Sequence, residues 1–207
     1  PPTFSEYLIT RVAEKIAQAT EKDIWNGPDN NTDGRFEGFI PLIAAGAASI
    51  PTAQKITGAT ITAANVIDEL GKVVDAIPET LYGREDLFIY VPQNVARAYV
   101  RALGGFAANG LGANGVENRG TLWYNNGDLA FDGVKIFVAN GLPSNTMVAS
   151  TKDNLYFGTG LLSDHQEVKL IDTAETLGDK NVRVVMRYTA GVQIGILEDI
   201  VYYGAAI

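Results

Sequence analysis

One stretch limits the architectures open to this chain. Thr3 to Asn26, TFSEYLITRVAEKIAQATEKDIWN, carries a start, a face and a stop for a single long helix. Thr3 and Glu6 have the spacing of a capping box, in which hydroxyl and carboxylate each satisfy a backbone N–H left unpaired at a helix start. At the helical repeat, Leu8, Ile9, Val12, Ala13, Ile16, Ala19 and Ile24 fall on one arc and Arg11, Glu14, Lys15, Glu21 and Lys22 on the other. Asp23 is the one charge on the apolar side. Asn26-Gly27-Pro28 ends the helix, because Gly adopts the closing left-handed conformation and Pro cannot continue it. At ~1.5 Å per residue such a helix is roughly 35 Å long. It can serve as a spine.

The 207 residues, 46% of them hydrophobic, suffice for a large core. No apolar run is long enough to span a membrane, and no basic stretch followed by an apolar one opens the sequence, so neither a membrane segment nor a secretion signal is expected. With no cysteine, disulfides, thiolate metal sites and cysteine nucleophiles are excluded. A formal charge of −8 opposes binding to a duplex, which depends on clustered Lys and Arg. No sequence-specific nucleic-acid binding is expected.

After the spine, PDNNTDGRFEGF reads as a polar loop, followed by a small apolar run from Ile40 to Ile50 broken by Pro41 and Gly46. Asp29, Asn31, Asp33 and Gly34 open a calcium-loop pattern, but its twelfth position, where a bidentate Glu belongs, is Ile40. A turn-rich loop without a metal is the expectation. Asn30-Asn31-Thr32 is a glycosylation acceptor only in a secreted chain. A second helix is predicted from Ala63 to Ile77, capped by Thr62, with Val66, Ile67, Leu70, Val73, Val74 and Ile77 inward and Asp68, Glu69, Lys72 and Asp75 outward. Leu87 to Val91 reads as a strand covered on both faces. A third helix follows from Pro92 and ends at Gly104-Gly105, with Val95, Tyr99, Ala102 and Leu103 inside and Arg97 and Arg101 outside.

Gly104 to Gly120, GGFAANGLGANGVENRG, has no period and reads as a long surface loop. It lacks the Lys of a phosphate-binding loop and follows a helix instead of a strand. Strands are then predicted over Leu122–Tyr124, Leu129–Phe131, Val134–Ala139, Met147–Ser150, Leu155–Phe157, Val168–Ile171, Val182–Ile194 and Ile200–Tyr203, with Asn125-Asn126-Gly127 as a hairpin turn. Val182–Ile194 is the longest, and its alternation suits packing beside the spine.

The search for chemistry gives no catalytic, cofactor-binding or metal-binding residue. His165 is the only histidine, so a multi-histidine metal site cannot form within one chain. In Ser163-Asp164-His165 adjacent side chains point to different sides and cannot relay a proton through one another. Glu85-Asp86 and Glu198-Asp199 could serve as acid and base only if folding joined distant members in a cleft. The aromatic residues could line a carbohydrate site, although scattered aromatics more often fill cores and interfaces. No cofactor and no enzymatic activity are expected.

Ordered landmarks carry more. Ile24-Trp25-Asn26-Gly27 closing the long helix, Gly38-Phe39-Ile40-Pro41, Phe131-Asp132-Gly133-Val134-Lys135-Ile136, Gly141-Leu142-Pro143 and Asn154-Leu155-Tyr156-Phe157-Gly158 together resemble the major capsid proteins of tailed bacteriophages, with the Hong Kong 97 fold. The resemblance implies an α+β chain with a peripheral domain, in which a long spine helix packs on long strands, and an axial domain made of a central sheet flanked by helices. By that analogy residues 1–40 and 182–207 are peripheral and 41–181 axial. Family members normally carry an N-terminal arm and an extended β-hairpin arm before the spine; here the helix begins at Thr3, as in a fragment or processed form, and no cross-linking Lys–Asn pair is assigned.

The implied function is a capsid shell subunit that forms hexamers and pentamers enclosing DNA. Its partners are copies of itself, with other capsid or scaffolding proteins, and its location is the virion, assembled in host cytoplasm. The Gly104–Gly120 loop matches the one near the capsomer axis. An encapsulin compartment shell is the alternative within the fold, and a carbohydrate-active enzyme or binding module the alternative outside it.

Overall fold

A computed structural model describes residues 4–28, 35–108, 129–160, 168–172, 182–186 and 189–207. The long helix is present as α1, Phe4–Asn26. Helix α2, Phe39–Ala45, begins just before the apolar run Ile40–Ile50 and passes through Pro41, the residue expected from the sequence to break that run. Gly38 occupies the cap position, so Pro41 falls in the first turn, where a missing backbone N–H costs no intrahelical bond. Strand β1, Lys55–Thr57, is an element without a sequence signal; three residues give no measurable alternation.

Helix α3, Val66–Asp75, starts three residues later than predicted. The Asn65 side-chain oxygen accepts from the Thr62 N–H at 2.7 Å, closing a turn ahead of the helix in place of a Thr62 cap. Strand β2, Leu87–Val91, and helix α4, Gln93–Ala108, come next. The predicted stop at Gly104-Gly105 is overrun: α4 continues to Ala108, since a helix tolerates Gly at a cost of only about 1 kcal/mol each relative to Ala. The remainder of the Gly104–Gly120 segment, Leu122–Tyr124 and the Asn125-Asn126-Gly127 turn lie outside the described residues, as does Thr3.

Strands β3, Leu129–Phe131, and β4, Val134–Val138, form a hairpin through Asp132-Gly133. Both turn residues have positive φ, 46° and 78°, the conformation that a tight two-residue hairpin needs and Asp-Gly supplies. Then follow β5, Met147–Thr151; β6, Leu155–Thr159; β7, Val168–Asp172; β8, Val182–Met186; β9, Ala190–Ile194; and β10, Val201–Gly204. The predicted single strand Val182–Ile194 is therefore two. β8 pairs with β7 and β9 with β6, both antiparallel, and it is β9, packed near α2, that approaches the helical side.

Six strands form the central sheet in the order β1-β10-β5-β2-β4-β3. Alternation sorts its side chains. Leu87, Ile89 and Val91 of β2, Met147 and Ala149 of β5, and Val201 and Tyr203 of β10 face one side, where the apolar faces of α3 and α4 cover them. Tyr90, Val148 and Tyr202 face the other, against Trp25 of α1 and Phe39 and Ile43 of α2. The mixed α+β architecture, a central sheet flanked by helices, is as expected from the sequence.

One expected outward charge lies inside. Glu69 of α3 is 6% exposed. Its carboxylate accepts from Lys72 Nζ at 2.9 Å and from the Tyr203 hydroxyl at 2.8 Å, and that hydroxyl accepts from the Ala59 N–H at 2.9 Å. Burial pushes the Glu69 pKa up, but the hydrogen bonds from Lys72 and Tyr203 outweigh it and hold the group below its ordinary value. Tyr203 is pushed up to about 12, first by burial, and stays a neutral donor.

Candidate functional site

While the Phe131–Ile136 motif packs on the other side of the sheet, three of the landmark motifs, those around Trp25, Phe39 and Leu142, meet at one place. There the last turns of α1 are fastened to the sheet. Trp25 is 6% exposed and its ring lies 5.4 Å from that of Phe39 and 5.1 Å from that of Tyr90, in tilted contacts. Burial, and to a lesser extent the charge of Asp86, pushes the Tyr90 hydroxyl up to about 12, so this cluster carries no charge at neutral pH. Asp23, the charge on the apolar arc, is buried and receives the Arg35 Nε–H, 3.0 Å from Oδ1 and 3.2 Å from Oδ2, together with an Nη2–H. That pairing with a guanidinium explains how a charge survives on the inner arc.

Two glycines set the closeness of this junction. A Cβ on Gly27 would lie 2.0 Å from the Phe36 carbonyl oxygen, and one on Gly141 would lie 2.2 Å from the Glu21 carbonyl oxygen and 2.9 Å from the Trp25 ring. Only glycine lets these backbones approach so closely. The Glu21 carboxylate also accepts from the Asn140 N–H at 3.1 Å, tying the Gly141-Leu142-Pro143 turn to the helix.

Away from this fastening α1 is poorly covered. Leu8, Ile9, Val12 and Ile16 are only partly buried, Ala13 and Ala19 are exposed, and in the helix Asp23 and Trp25 alone are fully buried among the described side chains. The predicted apolar arc is thus present but is not a closed core face. Further apolar surface lies on the sheet and the β6–β9 ribbon: Phe137 is 52% exposed beside Tyr90, and Tyr156 and Phe157 are exposed on successive positions of β6.

Between the second half of α1 and the start of α4 runs an open groove of about 650 Å³. Gln18, Glu21, Lys22 and Asn26 line one wall, Gln93 and Asn140 to Ser144 the other. It holds one carboxylate, so it lacks the acid and base pair that a glycosidase needs. Asp86 is held in place by Arg84 at 2.9 Å, which keeps its carboxylate below the usual range, the opposite of a general acid. Glu198 meets the protein through its backbone oxygen, which accepts from the Gln54 amide at 2.9 Å. Among the described residues no group of three metal-ligating side chains gathers, and no helix is long and apolar enough to cross a membrane. Ile40, the failed twelfth calcium position, sits in α2; Asp29, Asn31, Asp33, Gly34, Ser163, Asp164 and His165 lie outside the described residues.

No protein-family model and no curated protein sequence matches the chain. Solved structures do. The capsid of an empty GTA particle aligns over 99% of this chain and 67% of its own, with a TM-score of 0.59 and 13% identity. Mycobacterium phage Che8 aligns over 97% and 63%, with a TM-score of 0.57 and 12% identity, and the satellite phage P4 procapsid over 98% and 64%, with a TM-score of 0.58 and 8% identity. The chain has the fold of tailed-phage major capsid proteins, the Hong Kong 97 type that the landmark motifs indicated. It spans about two thirds of the length of these structures.

Proposed function

We propose that the chain is a structural subunit of a phage-type capsid shell, assembling with copies of itself into hexamers and pentamers that enclose DNA. The observation that carries this is the fold likeness over nearly the whole chain to three structures, among them a capsid and a procapsid. The groove with a single carboxylate and the apolar surfaces on α1 and β6 support an interface role over catalysis. In the matching division, residues 1–40 and the return strands after 182 are peripheral and 41–181 axial, with β10 crossing back into the axial sheet. Other capsid or scaffolding proteins are further partners, and the virion, assembled in host cytoplasm, is the location.

Electron microscopy and sedimentation of the full-length product test this reading. Closed shells that enclose DNA are the expected outcome. Shells containing only a protein cargo would instead favour an encapsulin-type compartment. A chain that stays monomeric at all concentrations would overturn both.

A further inference from the structure

Two Asn-Gly pairs fall among the described residues, Asn26-Gly27 at the end of α1 and Asn140-Gly141 in the turn fastened to it. In such a pair the glycine nitrogen can attack the Asn side-chain amide and close a cyclic imide, because no Cβ crowds the nitrogen and the two groups are held together by the chain. Both pairs present an exposed Asn followed by a buried Gly. They differ in what holds the attacking nitrogen. The Gly27 N–H donates to the Asp23 carbonyl at 2.9 Å, so attack from Gly27 breaks that bond and unwinds the last turn of the helix. The Gly141 N–H makes no hydrogen bond among the described residues. Asn140 and Gly141 are the central pair of a turn closed by one bond, from the Leu142 N–H to the Ala139 carbonyl at 3.2 Å. The Asn140 side-chain amide makes no bond among the described residues either; its backbone N–H is the group engaged, with the Glu21 carboxylate.

We infer that Asn140-Gly141 is a site of spontaneous deamidation, and that the reaction releases the fastening of α1. The Gly141 nitrogen, giving its proton to solvent base, bonds to Asn140 Cγ; the Cγ–Nδ2 bond breaks and the amide nitrogen leaves as ammonia. Water then opens the imide on either side of the nitrogen. Cleavage at Cγ leaves an aspartate, and cleavage at the backbone carbonyl leaves an isoaspartate whose main chain runs through Cγ. Nothing is oxidised or reduced, and water is the co-reactant. Either product adds a carboxylate to a turn whose Asn140 N–H already holds the Glu21 carboxylate, and like charges at short range repel. The isoaspartate also lengthens the backbone by a methylene immediately before Gly141, where a Cβ alone would lie 2.2 Å from the Glu21 carbonyl oxygen. The glycine that lets the two backbones touch is thus the residue that starts their separation.

Incubation of the folded protein at mildly alkaline pH, followed by peptide mapping, tests this. Asn140 should convert to aspartate and isoaspartate at least ~10-fold faster than Asn26, a barrier difference of about 1.4 kcal/mol. In denaturant the two rates should become alike. Amide exchange in the last turns of α1 should rise with the fraction modified at Asn140, while α3 keeps its protection. Asn140→Gln, whose longer side chain closes the ring far more slowly, should hold α1 exchange at its starting value. A smaller ratio in the folded protein, or a difference that persists in denaturant and so belongs to local sequence, overturns the site. Conversion of Asn140 without faster exchange in α1 overturns the release.

Discussion

The sheet face under α3 and α4 and the long helix α1 differ in how far the chain completes them. Val66, Leu70 and Val73 are 0% exposed and interlock with β2, β5 and β10 in one continuous core. α1 is longer than α3 and α4, yet it is fixed through Trp25, Asp23 and the Gly141 turn at its last turns, with its remaining apolar arc half open. Isolated helices are marginal in water, and most helical stability comes from a packed face. The sheet side is therefore finished by the subunit alone, whereas most of α1 is left open by it and, under the proposed shell reading, would be covered by other copies. A core of the first kind sets stability; a surface of the second kind sets association.

The largest effect should come from the finished side. Leu70→Ala removes a fully buried side chain and should cost about 3 kcal/mol, read as a lower denaturant midpoint. Gly141→Val should cost about 2 kcal/mol by overpacking against Glu21 and Trp25. Its mark is local: amide exchange in α1 should rise while α3 stays protected, and equal loosening of both would erase the contrast between the two regions. Glu69→Gln should cost about 1 kcal/mol at neutral pH. Because the folded pKa of Glu69 is depressed, its contribution is present above the ordinary value of 4.5 and is lost as pH falls through the lower folded value. The two proteins should converge in stability under acid; a constant gap would assign the loss to packing.

The smallest effect on folding is expected from Ile16→Asp. A charge in a closed core would cost about 3 kcal/mol. Here Ile16 is only partly buried, so the isolated subunit should lose no more than about 1 kcal/mol while assembly suffers more. A cost near the core value would show that α1 is as finished as α3.

Patterning makes α3, β2, β4, β5 and most of α1 legible: the apolar positions of the helices repeat over several turns, β4 alternates, and β2 and β5 are short runs buried on both faces. Glu69 is not legible as a buried group because its local helical position is polar, and the partner that draws it inward, Tyr203, is far along the chain. Pro41 and Gly104 are breakers by residue type; their position in the helix, first turn or interior, decides their effect, and sequence does not give it. The fastening of α1 is legible only as motifs in order. Trp25-Asn26-Gly27 and Gly141-Leu142-Pro143 are visible, but their contact, and the groove that it borders, is a long-range fact.

The place of β10 between β1 and β5 has a consequence in time. Ala59, just after β1, bonds Tyr203 across 144 residues, so the sheet lacks one of its inner members until nearly the whole of this stretch has left the ribosome. Translation at roughly 5–20 residues per second makes that interval last seconds. From the emergence of Met147–Thr151 until β10 follows, that apolar strand has an open hydrogen-bonding edge. Nascent copies on one messenger share that open edge, which makes the order of events during synthesis, folding first and association second, a requirement on the cell rather than on the finished molecule.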